Sequence, residues 1–131
     1  MSKKILIVDD EPEMVSLLSQ FLGNAGYQIR TAADGQEALE KVSEASPDLL
    51  LMDIMLPKVD GWLVCQKLKA DEKFKKIPII LISGILAGDS SADPSVEKCD
   101  YLMAKPFEMQ NLLTKVRELT QGSSSEAPSK Q

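Results

Sequence analysis

Apolar positions along this chain fall into two patterns that take turns. Ile5–Val8, Leu49–Met52 and Ile77–Ser83 are short, mostly apolar runs without polar alternation. Runs of that length are too short for helices and predict strands of a parallel sheet, buried on both faces. Tyr27–Ala33 alternates apolar and polar residues, which places it nearer a sheet edge, and Tyr101–Lys105 supplies the last strand. Between these runs apolar residues recur at helical spacing. Met14, Leu17, Leu18, Phe21, Leu22 and Ala25 form the first stripe, and Ala38, Leu39, Val42 and Ala45 the second. Leu63, Val64 and Leu68 form the third, and Met109, Leu112, Leu113, Val116 and Leu119 the last.

Punctuation supports the same segmentation. Glu11-Pro12 opens the first helix, because proline suits the first helical position, and Gly26 fits its C-terminal cap. Asp34-x-x-Glu37 resembles a capping box with Asp in place of Ser or Thr. Ser46-Pro47 stops the second helix, and the third spans about Asp60 to Asp71 with its lysines outward. The segment from Gly84 to Asp100 is broken by glycine, serine and proline; only a short helix is predicted there, starting at Pro94 with Asp93 as cap. Gly122 to Gln131 has linker composition and is predicted to be disordered. The reading is one domain over residues 1–121, then a disordered tail or the start of a linker over 122–131. Strand and helix alternate throughout, which predicts an α/β fold: a parallel sheet with helices on both faces and right-handed crossovers.

Composition narrows the function. A length of 131 residues fits one domain, able to bury roughly two-thirds of its unfolded surface. The net charge of −5, with no basic cluster, argues against nucleic-acid binding by this segment. No signal-peptide h-region and no apolar stretch of about 18 residues is present, so no membrane contact and a cytoplasmic location are expected. Cys65 and Cys99 form no C-x-x-C motif and are expected to be buried small hydrophobes. The absence of histidine removes imidazole catalysis and leaves oxygen ligands for any metal.

The candidate chemistry lies at strand ends. Asp9 and Asp10 follow the first strand, Asp53 ends the third, Ser83 the fourth and Lys105 the fifth. Parallel strands bring their C-terminal ends to one edge, where open α/β sheets bind ligands. Taken singly each has a plainer reading: an Asp pair as a helix cap, a lone Asp or Ser-Gly as a turn, Lys-Pro as a solvated loop. Together they suit Mg²⁺ and a phosphoryl group. Three carboxylates in one crevice repel, and a hard cation relieves them. Asp53 is then the nucleophile that carries an aspartyl phosphate, Asp9, Asp10 and Asp53 hold Mg²⁺, and Ser83 and Lys105 meet phosphoryl oxygens.

With Ile-Leu-Ile-Val-Asp9-Asp10-Glu, Asp53-Ile-Met-Leu-Pro57-Lys-Val-Asp60-Gly61, the apolar strand ending at Ser83, and Lys105-Pro106-Phe107, residues 3 to 121 resemble the receiver domain of bacterial two-component response regulators. The resemblance implies a flavodoxin-like (βα)5 fold with strand order 2-1-3-4-5. It implies Mg²⁺-dependent phosphotransfer from a histidine kinase or histidine phosphotransfer protein to Asp53, with the Met55 backbone carbonyl as a further metal ligand. It also implies slow self-hydrolysis, a cis peptide before Pro106, and signalling through a downstream protein target rather than turnover of a substrate. The chain departs from the family pattern at Leu102, where an aromatic residue is common, and at Gly84, where alanine is usual. Tyr101 is expected to face the opposite side of its strand and cannot simply replace that aromatic. The broken segment 84–100 suggests a disorder-to-order response to phosphorylation. A phosphorylation-independent docking module is the main alternative. A small-substrate phosphohydrolase lacks a second acid, with Met55 in its place, and a nucleotide binder lacks a glycine-rich loop after the first strand.

Overall fold

In the computed structural model, which describes residues 3–54, 56, 61–83, 101–104 and 107–125, the unbroken apolar runs pair as one parallel sheet. Ser83, Ala104 and residues 121–125 are described as backbone. The strands are β1 (Lys4–Val8), β2 (Gln28–Ala32), β3 (Leu49–Asp53), β4 (Ile79–Ser83) and β5 (Tyr101–Ala104), in the order β2-β1-β3-β4-β5. The helices are α1 (Pro12–Asn24), α2 (Gly35–Glu44), α3 (Gly61–Lys69) and α4 (Met109–Ser125). The predicted order is therefore met, with β3 at the centre and the alternating strand β2 at an edge.

Burial explains the two kinds of strand. Every residue of β3 is buried, whereas β2 buries only Ala32. Successive side chains of a strand point to opposite faces, so the sheet separates two apolar layers. Ile5, Ile7, Leu49, Leu51, Ile80 and Ile82 pack on one face against Leu18, Leu22, Leu112 and Val116 of α1 and α4. Leu6, Val8, Leu50, Met52, Ile79 and Leu81 pack on the other against Ala38, Val42, Val64 and Leu68 of α2 and α3. Each fully buried leucine or isoleucine contributes roughly 1.5–3 kcal/mol of transfer free energy.

The helix ends follow local chemistry. Pro12 occupies the first turn of α1, and the chain leaves that helix through Gly26 at φ 105°, a conformation that only glycine adopts without strain. Asp34 caps α2: its Oδ1 accepts from Glu37 N at 2.8 Å. Glu37 Oε1 in return accepts from Ala33 N at 2.9 Å, one residue before the cap. Lys41 donates to Thr31 O at 2.6 Å and pairs with Glu37 at 3.2 Å, tying α2 to the edge strand.

Several expectations need correction. Leu17 is 50% exposed and Leu63 42% exposed, although both lie in predicted apolar stripes. A straight helix presents only a limited arc to a flat sheet, and Leu18 and Val64 take the inward positions beside them. Cys65 is buried as expected; Cys99 lies outside the described residues. Helical backbone continues in α4 through Gly122–Ser125, which composition assigned to the tail. Extending an existing helix adds one hydrogen bond per residue without a new nucleation cost, so weak helix formers can follow. The expected short helix from Pro94, the ordering of 84–100 and the cis peptide before Pro106 lie outside the described residues.

Candidate phosphorylation and metal site

β1 and β3 are neighbours in parallel register, with Val8 opposite Met52. Asp9 and Asp53, one residue further on, therefore leave the sheet side by side. Val8 and Met52 face the α2–α3 layer. Strand alternation turns the next residue of each chain to the other face, so both carboxylates rise on the α1–α4 side. Register, rather than proximity in sequence, is what brings these acids together.

Asp9 and Asp53 are buried, at 2% and 6% exposure, and Asp10 is exposed. The backbone fixes Asp9 firmly. Its N–H donates to Ala32 O at 3.1 Å, prolonging the β1–β2 ladder, and its Oδ1 accepts from Glu11 N at 2.9 Å. Asp9 thus shapes the turn into α1 without capping it, since the N-cap is Glu11 and no side chain bonds the first turn, and it also stands in the acidic cluster. Ile54 N donates to Ile82 O at 2.9 Å, so the β3 strand end carrying Asp53 is held by β4. Gly61, the first residue of α3, donates its N–H to Ile54 O at 2.9 Å, which seats the start of that helix behind Asp53.

One carboxylate oxygen from each of Asp9, Asp10 and Asp53 lies within 4.8 Å of the other two. Two oxygens on opposite sides of Mg²⁺ are about 4.2 Å apart, and about 4.8 Å apart for Ca²⁺. The donor set is three hard oxygens with two members buried, which fits a hard divalent cation and does not fit a soft metal. The cluster borders a depression of about 250 Å³ between the β1–α1 and β2–α2 turns, lined by Asp9, Asp10, Thr31 and Glu37 among others. The Ala33 N–H and the Lys41 ammonium hold the Glu37 carboxyl below its ordinary range.

The remaining predicted residues are placed less fully. Ser83 ends β4 and pairs with Ala104 of β5, while its neighbour Ile82 lies opposite Asp53. The backbone of Ser83 is thus at the same sheet edge. Lys105 and Met55 lie outside the described residues. Sequence reasoning missed the role of Gly61 behind Asp53. Its signal was its place at the end of the Asp53-to-Gly61 stretch that carries the family resemblance; the Asp60-Gly61 pair alone reads equally well as an ordinary turn.

Tyr101 and Leu102 divide as alternation requires. Tyr101 packs with the α1–α4 layer and Leu102 with the α2–α3 layer.

Comparison with known proteins agrees with this geometry. A family description of the response regulator receiver domain matches residues 5–117. RpaA of Synechocystis sp., a DNA-binding dual master transcriptional regulator, is 40% identical over 123 residues, covering 88% of this chain and 48% of that protein. PhoP of Bacillus subtilis, the alkaline phosphatase synthesis transcriptional regulatory protein, is 39% identical over 132 residues, covering 98% of this chain and 53% of that protein. The chain therefore spans about half the length of these two relatives. Among solved structures, the response regulator TrrA of Thermotoga maritima, in complex with Mg²⁺-BeF, superposes with a TM-score of 0.81 at 37% identity, over 89% of this chain and 98% of that one. The fold, the strand order and the match over most of its length show that the chain belongs to the response regulator receiver domain family.

Proposed function

We propose that this chain, with residues 1–121 as the receiver unit, accepts a phosphoryl group on Asp53 from a histidine kinase or a histidine phosphotransfer protein. The observation that carries this reading is the clustering of Asp9, Asp10 and Asp53 oxygens within 4.8 Å at the C-terminal edge of the sheet. Asp9, Asp10 and Asp53 would hold Mg²⁺, with the Met55 carbonyl as a further ligand. When bound, the cation offsets the negative charge of the phosphoryl oxygens. TrrA, which carries Mg²⁺-BeF, supports the choice of metal.

In the transfer step an Asp53 carboxylate oxygen forms a bond to phosphorus as the phosphorus–nitrogen bond of the donor phosphohistidine breaks. The imidazole leaves with the bonding pair. The β3–β4 bond from Ile54 N to Ile82 O keeps the Asp53 backbone still while this occurs. The Ser83 hydroxyl and the Lys105 ammonium are assigned to phosphoryl oxygens, a role that rests on their places in the sequence. Water later attacks phosphorus, the bond to the Asp53 oxygen breaks, and inorganic phosphate leaves with the carboxylate restored, so the domain promotes only its own phosphorylation and slow dephosphorylation. The output is phosphorylation-dependent binding to a protein target. RpaA and PhoP are transcriptional regulators about twice as long, so any nucleic-acid contact is assigned to parts of such proteins beyond the segment matched here.

Intact mass after incubation with Mg²⁺ and acetyl phosphate tests the reading. One phosphoryl adduct on wild type, absent from Asp53→Asn and lost on removal of Mg²⁺, is expected. The alternative, a docking module that works without phosphorylation, draws on Leu102 in the place of the usual aromatic. It predicts no adduct from either acetyl phosphate or a phosphorylated histidine kinase, and weak or absent Mg²⁺ binding.

A further inference from the structure

Gly61 opens α3 directly against the strand end that carries Asp53. A Cβ atom built there would lie 2.6 Å from the Asp53 carbonyl oxygen, 2.8 Å from Ile54 Cα and 3.3 Å from the Asp53 carbonyl carbon. All three atoms are backbone, so no side chain can rotate aside. Gly61 does not have the positive φ that marks Gly26, so the requirement is for space rather than for an unusual conformation.

Neither partner in this contact is free to yield. The end of β3 is paired on both sides, Met52 with Val8 and Asp53 with Ile82, and Ile54 N is bonded to Ile82 O. The start of α3 is anchored by Val64 and Cys65, which are at most 1% exposed. The Gly61 N–H bond to Ile54 O locks the two together. Any side chain at position 61 must push the helix and the strand apart, and the strand's share of that shift displaces Asp53 from Asp9 and Asp10.

We propose that Gly61 is a positioning residue of the phosphorylation site: it reserves the space that lets the β3 end hold the Asp53 carboxylate in register with Asp9 and Asp10. The inference rests on the receiver reading above and deepens it. It also couples α3 to the phosphoacceptor strand, because the Gly61–Ile54 bond lies one residue beyond Asp53. A misplacement of about 1 Å at reacting groups can cost about a hundredfold in rate.

The test compares Gly61→Ala with two controls. Gly23→Ala adds a methyl that meets only Ile29 Cγ1, at an ordinary 3.9 Å. Leu68→Ala removes a buried side chain from the same α3 helix without touching the site. For each protein, adduct formation from acetyl phosphate is followed by intact mass across a Mg²⁺ series, at a temperature where circular dichroism shows it folded. Gly61→Ala is expected to need about tenfold more Mg²⁺ for half-maximal rate, and to react about ten- to a hundredfold more slowly. Both controls should keep wild-type values while folded.

A Gly61→Ala protein that reacts like wild type overturns the inference, as does a Leu68→Ala protein with the same loss. If Gly61→Ala does not fold, the Gly61 amide resonance of the wild type decides. It should move with the same Mg²⁺ midpoint as adduct formation, and a stationary resonance refutes the coupling. A wild type that forms no adduct from acetyl phosphate or from a phosphorylated histidine kinase fails at the receiver reading itself, which is distinct from a reactive wild type matched by Gly61→Ala.

Discussion

The Lys115 ammonium of α4 lies 4.3 Å from the centroid of the Tyr101 ring on β5. Lys115 also pairs with Glu118 at 2.9 Å, which orients its side chain across the strand. The contact holds Tyr101 in the α1–α4 layer, the opposite face from Leu102. A cation over an aromatic face at a partly exposed site contributes about 0.5–1 kcal/mol. A double-mutant cycle on Tyr101→Leu and Lys115→Met, read by urea unfolding, should return a coupling of that size. A coupling near zero would mean that the ring and the ammonium merely share space. Acyl-phosphate formation should be unchanged in Tyr101→Leu, because the ring does not belong to the acidic cluster.

The acidic cluster should cost stability when no cation is present. Two like charges 4–5 Å apart in a high-dielectric setting repel by about 1 kcal/mol. Asp10 is the exposed member, so Asp10→Asn should unfold at higher urea than wild type in chelator, by an amount near 1 kcal/mol. Saturating Mg²⁺ should reverse the order. A ligand at a hundred times its dissociation constant stabilises by about 2.7 kcal/mol, and the variant, binding more weakly, gains less. Equal stability of the two proteins in chelator would show that the repulsion is negligible.

The α2 cap makes a prediction with a definite pH direction. The Ala33 N–H and Lys41 together favour the charged form of Glu37, so its folded pKa lies below the ordinary 4.5. A depressed carboxyl pKa adds stability above the unfolded value, and that stability is lost as pH falls through the folded value. The destabilisation of Glu37→Gln should therefore be constant from pH 7 down to about 5 and vanish below the ordinary carboxyl range. A difference that persists unchanged at pH 3 would assign it to packing rather than charge. Asp34→Ala should cost about 1 kcal/mol at pH 7, because it leaves the Glu37 N–H without its 2.8 Å acceptor.

Gly26 tests backbone conformation alone. At φ 105° an L-residue is strained, and nothing lies within 4 Å of where a Cβ would stand. Gly26→Ala should cost about 1–2 kcal/mol by thermal or urea unfolding with no change in Mg²⁺ affinity. A neutral substitution would show that the α1–β2 turn relaxes freely.

Periodicity by itself determined the five strands, their order of burial and the helix stripes, because a two-residue or 3.6-residue repeat of apolar side chains is a local property. Leu49–Asp53 reads as a central strand from composition alone, and the edge place of β2 from its alternation. The identities of Asp9, Asp10 and Asp53 as cluster members were legible too, since parallel strands must bring their ends together. The tertiary structure decided what depends on the space between elements. Leu17 and Leu63 belong to apolar stripes in sequence, and only the arc each helix presents to the sheet leaves them outside. Asp9 reads as a cap or as a ligand in sequence; the fold makes its 2.9 Å bond from Glu11 N a turn contact ahead of α1, whose N-cap is Glu11, and brings its carboxylate to those of Asp10 and Asp53. Gly61 reads as half of a turn. Its need for an absent Cβ comes from the Asp53 carbonyl oxygen 2.6 Å away, a contact that exists only once the end of β3 and the start of α3 are packed together.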